Sequence, residues 1–160
     1  MILHTCCAPC SSAILEWLTN NGIRPVVFFF NPNIYPEEEY LKRKDECARY
    51  AAQLGLEMVD GDYDHPQWLC TVAGLENEPE RGRRCSECFY MRLKATAELA
   101  HSRGDKVIAT TLASSRWKDI DQINAAGRRA AADFPGVEFM ERNWRKGGLY
   151  ERRAAIIREQ

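Results

Sequence analysis

Arg24-Pro25-Val26-Val27-Phe28-Phe29-Phe30-Asn31 decides the fold. Five consecutive apolar residues without alternation predict a strand buried on both faces, the pattern of a parallel sheet covered by helices. The stretch is far too short to span a bilayer, and no membrane partner is expected. Working outward, Met1–Thr5 reads as a first strand. A helix through Asn21 follows, with Ser11 or Ser12 as its cap, Ile14, Leu15 and Leu18 on one face and Gly22 as its stop. Pro36 opens a long helix to about Leu54, ended by Gly55. Leu56–Val59 reads as a third strand, and a short helix is expected within Asp64–Leu75. Glu76–Arg84 reads as a loop, Cys85–Arg103 as a helix and Lys106–Leu112 as a fourth strand. Asp119–Phe134, Val137–Arg142 and Leu149–Ile157 complete the chain as helix, strand and helix. Strands alternating with helices imply βαβ units, so an α/β fold with a mostly parallel five-stranded sheet is expected, as one domain over residues 1–160.

With 22 Lys and Arg against 23 Asp and Glu, the formal charge is −1, which excludes a globally basic nucleic-acid binder but not local basic patches. Met1–His4 carries neither a basic region nor a long apolar one, so no secretory leader is expected and the compartment is expected to be the cytoplasm. Seven cysteines are the informative excess. An odd number argues against a secreted disulfide framework and for metal, redox or nucleophilic chemistry.

Cys6, Cys7 and Cys10 fall in the loop after the first strand, where open parallel sheets bind ligands. Cys85 and Cys88 are spaced to put both sulfurs on one side of a helix start, where free N–H groups, the helix dipole and nearby arginines favour thiolate. Thiolates from both stretches brought together suit zinc or an iron–sulfur cluster, and composition does not choose between them. Cys47 and Cys70 read as small buried hydrophobes. His4, two residues before Cys6, could donate to a sulfur or a substrate, or be a satisfied strand-end histidine.

His4-Thr5-Cys6-Cys7-Ala8-Pro9-Cys10 resembles the signature of the QueH-type epoxyqueuosine reductases. The similarity continues in order through Phe29–Ile34, Gly61–Asp64, Gly74–Glu80, Arg84–Phe89, Thr110–Leu112, Lys118-Asp119 and Trp144–Gly148. It implies a Rossmann-like, HUP-type three-layer α/β/α fold. It implies an oxidoreductase that removes the epoxide oxygen from epoxyqueuosine in a tRNA anticodon loop, the last step of queuosine synthesis. It implies a [4Fe–4S] cluster, a second mononuclear iron nearby and no cobalamin. Carried over by position, Cys6, Cys7, Cys85 and Cys88 are the cluster ligands, with Cys10 at the second metal or in a redox role. Two departures stand out. Family members continue past the last helix with a Cys-Gly-Cys tail, whereas this sequence stops at Gln160, and Ser115-Arg116 stands where Ser-Pro is expected.

Deoxygenation consumes two electrons and two protons, so a redox cofactor and an external electron donor are required. Candidates for the proton donor are His4, Asp62, Asp64, Glu76 and Glu78; Asp62 and Asp64 equally suit turn formation. Cys10, His4 and Asp64 form the candidate catalytic set. Arg81, Arg83, Arg84 and Arg92 around the second cysteine pair, Lys118, and Arg145 and Lys146 near the C-terminus are candidate tRNA phosphate contacts. Tyr35, Trp117 and Trp144 could stack on bases or fill the core. The competing readings are a zinc-stabilised RNA-binding module and a cluster-dependent tRNA sulfur transferase. The transferase would usually carry a Gly-rich phosphate loop, which is lacking here.

Overall fold

A computed structural model describes residues 1–115, 118–144 and 148–159. Five strands form one parallel sheet in the order β3-β2-β1-β4-β5, with β1 Ile2–Thr5, β2 Val26–Phe29, β3 Met58–Asp60, β4 Val107–Thr110 and β5 Glu138–Phe139. The helices are α1 Ala8–Asn20, α2 Glu37–Gln53, α3 His65–Thr71, α4 Arg83–Arg103, α5 Ile120–Ala132 and α6 Leu149–Glu159. This is the expected Rossmann-like three-layer arrangement.

The three central strands are largely apolar and buried because both faces are covered. Ile2, Phe28 and Ile108 point into one layer with Phe89, Leu93 and Ala97 of α4 and Ile123 of α5. Their neighbours Leu3, Val27 and Ala109 point into the other, against Ile14 and Leu18 of α1 and Ala51 of α2. The pleat alternates, but each side meets helix rather than water, so period-two polarity is absent. β5 is shorter than expected because it is an edge strand, paired only with β4.

The start of α1 differs from the expectation. Cys7, not Ser11 or Ser12, is its cap residue, in extended conformation, and Pro9 occupies the first turn. Proline is at home there because the first helical N–H groups have no intrahelical partner. Cys10 is therefore helical, and Ser11 donates its hydroxyl to the Cys7 carbonyl at 2.7 Å. α4 ends at Gly104 in the left-handed conformation (φ 77°), which glycine adopts without strain.

The strand order reverses around β1, which has β2 on one side and β4 on the other. Chain leaving β1 enters the crevice at the carboxyl edge of the sheet, where such folds place ligands. That exit is Cys6-Cys7. No helix of the described residues is long and apolar enough to cross a membrane.

Candidate functional site

The Sγ atoms of Cys6, Cys7 and Cys10 lie within 4.8 Å of one another. The sharp change from extended chain at Cys7 to helix at Ala8 makes this convergence possible, since in a continued strand Cys6 and Cys7 would face opposite ways. Thr111, in the 3₁₀ turn Thr111–Ser114 after β4, braces the group. Its Oγ1 accepts from the Cys6 amide at 3.4 Å and lies 3.7 Å from the Cys6 sulfur. Ser114 donates to the Cys10 carbonyl at 3.3 Å.

The three thiols are electrostatically unequal. Hydrogen bonds from Cys10 and then Cys7 hold the Cys6 thiol well below its ordinary value; burial opposes this, while the Arg92 charge and Thr111 reinforce it. Cys7 is pushed upward by its hydrogen bonds to Cys10 and Cys6 and by burial. The two shifts run in opposite directions, favouring thiolate at Cys6 over Cys7, an ordering set by the close approach of the sulfurs.

Cys85 and Cys88 do not join that group of sulfurs. They stand on the first turns of α4 and line a cavity of about 250 Å³, with Cys88 accepting from Trp68 Nε1 at 3.3 Å. Arg92 stands between the two sets: its guanidinium lies 3.9 Å from the Cys88 sulfur and acts electrostatically on Cys6. It donates to Asn31 Oδ1 at 2.6 Å, and Asn31 Nδ2 donates to the Thr5 carbonyl at 2.8 Å. One buried polar relay therefore runs from α4 to the residue preceding Cys6. Cys6 and Cys85 also pack against the same apolar cluster.

Other expected site residues fall into distinct environments. His4 is 0% exposed; its Nε2 donates to the Phe30 carbonyl at 3.0 Å and its Nδ1 lies 2.9 Å from the Thr110 hydroxyl. Burial, then the Arg92 charge, lowers its pKa from 6.5 to about 3, so it is neutral with both nitrogens committed. Asp64 is exposed and caps α3 by accepting from the Gln67 amide at 3.0 Å. Arg92, expected on a phosphate-contacting surface, is 4% exposed and holds the relay instead, because its long side chain lies along the buried face of α4. Arg81, Arg84 and Lys118 line the cavity, and Arg83 is exposed nearby. Arg145, Lys146 and Trp117 lie outside the described residues. Trp144 is buried in the core, whereas Tyr35 is 72% exposed. Cys47 is buried as expected; Cys70 is exposed, because the short helix α3 buries none of its residues.

Sequence reasoning missed Asn31, Thr111, Trp68 and Gln122. Asn31 carried a signal: a polar residue directly after a strand buried on both faces, at the ligand-binding edge. Gln122 carried none, since its role depends on how α5 meets the loop before α4.

The family model described as "Epoxyqueuosine reductase QueH" matches residues 1–160. The chain belongs to the QueH family. Relatives named epoxyqueuosine reductase QueH include those of Histophilus somni and Haemophilus influenzae, each 44% identical over 160 residues and 100% of this chain. That of Thermotoga maritima is 32% identical over 164 residues, covering 99% of this chain and 82% of its own length. The chain spans 66% and 65% of the Histophilus and Haemophilus QueH proteins.

Proposed function

We propose that this chain reduces epoxyqueuosine in a tRNA anticodon loop, removing the epoxide oxygen as water at a cost of two electrons and two protons. QueH membership supports the reaction class. The observation that carries the chemistry is the convergence of Cys6, Cys7 and Cys10 where β1 meets α1, beside a cavity walled by Cys85 and Cys88.

The donor set fits bound iron. Sulfurs sharing one tetrahedral metal at about 2.3 Å stand about 3.8 Å apart. The three thiols, within 4.8 Å of each other, come close to that spacing for one shared ion; on a [4Fe–4S] cluster each iron takes one thiolate, and the same side chains would rotate apart. Cys6 is already held toward thiolate, the form a metal binds. In this reading Cys6, Cys7, Cys85 and Cys88 would hold a [4Fe–4S] cluster, one thiolate on each iron, and Cys10 a second iron beside it. Bound iron of this kind supplies low-potential electrons and an open Lewis-acid position for the epoxide oxygen.

The chain's own residues do the rest. Arg92 balances the negative charge that thiolates and a reduced centre accumulate. The apolar cluster shared by Cys6 and Cys85 keeps water from the sulfurs. His4 orients the end of β1 as a neutral ring, so protons come from elsewhere, with Glu80 the acidic residue that lines the cavity. Arg81, Arg83, Arg84 and Lys118 supply a local positive rim for a phosphate backbone, although the net charge of the chain is −1.

The test is oxygen-free incubation of iron-reconstituted chain with tRNA bearing epoxyqueuosine and a low-potential reductant, read by nucleoside mass spectrometry. Loss of one oxygen from the modified base is expected. No conversion by a chain that carries its iron would overturn the assignment.

A further inference from the structure

The sulfur of Cys88 receives two side-chain donors from different elements. Trp68 Nε1 of α3 stands 3.3 Å from it, and Arg92 Nη1, one turn further along α4, stands 3.9 Å from it. The shorter contact comes from a helix that core packing does not hold. α3 has only seven residues and buries none of them. Polar and aromatic contacts set its position instead. Asp64 caps its start by accepting from the Gln67 amide at 3.0 Å. His65 Nδ1 donates to the Pro32 carbonyl at 2.8 Å, which ties the helix to the chain just beyond β2. The His65 ring stacks on two others, with Tyr35 at 5.0 Å and 24° and with Trp68 at 5.4 Å and 20°. Near-parallel rings fix the plane of the indole, and with it the direction of its single N–H.

A half-buried indole on such a helix could turn its N–H to water. Here the N–H is aimed at a sulfur, which as an uncharged thiol is a weak acceptor. The bond gains strength when the sulfur carries negative charge, since a hydrogen bond to a charged acceptor is roughly twice as strong as a neutral one. On a sulfur that ligates an iron–sulfur cluster, that charge is greatest in the reduced state. A donor held there therefore favours the reduced state over the oxidised one and raises the reduction potential. Arg92 acts in the same direction through its charge, but it also holds the Asn31 relay. Trp68 stands outside that relay, so its N–H can be removed without breaking it.

We propose that Trp68 sets the reduction potential of the site by donating to the Cys88 ligand sulfur, and that His65 is the positioning residue that holds the indole there. No proton moves in this step: the indole keeps its hydrogen, and the electron comes from the external donor. The inference rests on the reading that Cys88 ligates an iron–sulfur cluster, and it adds the residues that decide how readily that cluster is reduced.

A dye-mediated redox titration of the iron-loaded chain, followed by visible absorption and low-temperature electron paramagnetic resonance, tests it. Trp68→Phe keeps a ring for the stack and removes the N–H. The reduced-to-oxidised ratio at a given potential is expected to fall about three- to tenfold, which for one electron lowers the midpoint by about 30–60 mV, with iron per chain unchanged. His65→Leu, which removes both the stack and the Pro32 anchor, lowers it by less. Trp17→Phe, in the opposite layer beside Trp144, leaves it in place. An unchanged or raised midpoint in Trp68→Phe, or an equal fall in Trp17→Phe, overturns the proposal. Loss of the cluster in Trp68→Phe also overturns it, because the indole would then support the ligands rather than set the potential. An unmoved midpoint in His65→Leu rejects the role of His65. A native chain that holds no iron–sulfur cluster overturns the ligand reading and this proposal together, whereas a cluster whose midpoint ignores Trp68 overturns this proposal alone.

Discussion

Asn31 is the hinge pin of the site, and replacing it by leucine gives a sharp test of the relay. Its side chain is fully buried and makes two hydrogen bonds, from Nδ2 to the Thr5 carbonyl at 2.8 Å and to Oδ1 from Arg92 at 2.6 Å. Leucine leaves both partners buried without a bond. The neutral carbonyl loses about 1–3 kcal/mol and the guanidinium about 1.5–3 kcal/mol, so the sum is about 2.5–6 kcal/mol. A domain with a stability of about 5–15 kcal/mol remains folded but loses a large share. With a urea m-value near 2 kcal/mol/M, the unfolding midpoint falls by about 2 M. Asn31→Asp separates the two bonds. It keeps the acceptor and pairs it with the Arg92 charge, but sets an oxygen against the Thr5 carbonyl, so about half of the loss is expected. Urea titration of both variants, with iron content measured alongside, reads the result. A loss below about 1 kcal/mol in Asn31→Leu would refute the relay as the link between α4 and the Cys6 strand.

Three further outcomes follow from particular contacts. Gly127→Ala places a Cβ 2.5 Å from three ring carbons of Phe139, so overpacking of about 1–3 kcal/mol outweighs the gain in helix propensity of about 1 kcal/mol; a net loss is expected in urea melts, and a gain would contradict the packing of α5 on β5. The Glu16 carboxyl is held below its ordinary value by the hydrogen bond from Arg152, which ties α6 to α1 at 2.7 and 2.9 Å. A depressed carboxylate stabilises the fold above its unfolded pKa and ceases to as the pH falls through its folded one. Arg152→Ala therefore costs up to about 1 kcal/mol near pH 7, because the pair is partly exposed to screening by solvent, and the difference from the native chain shrinks in acid; a pH-independent difference would reject the pairing. Iodoacetamide at neutral pH should label the exposed Cys70 and spare Cys47, whose thiol burial pushes up to about 12, and Cys47→Ala should leave bound iron unchanged. Mass spectrometry of the labelled native chain and iron assay of the variant decide it.

The layer architecture was legible because the evidence for it is local. Val26–Phe30 shows burial on both faces, and Gly22, Pro36, Gly55 and Gly104 punctuate the helices around it. The cysteine triad was legible as composition but not as geometry. Serine is the stronger cap by propensity, yet Pro9 pulled the helix start back to Ala8, which turned Cys10 toward Cys6 and Cys7. Arg92 looked like one more member of an arginine-rich surface. Only the packing of α4 against β1 and β2 shows it buried beside Asn31. Gln122 and Trp68 reach the site from distant segments, so no spacing in the sequence announces them.

The most direct test of the central claim is the metal bound to the chain after preparation without oxygen, measured as iron and acid-labile sulfide per chain together with the visible absorption spectrum. A brown protein with about four irons or more, whose colour and iron are lost in Cys6→Ser and in Cys85→Ser, is the expected result. Stoichiometric zinc in a colourless protein, or iron that survives both substitutions, would contradict it.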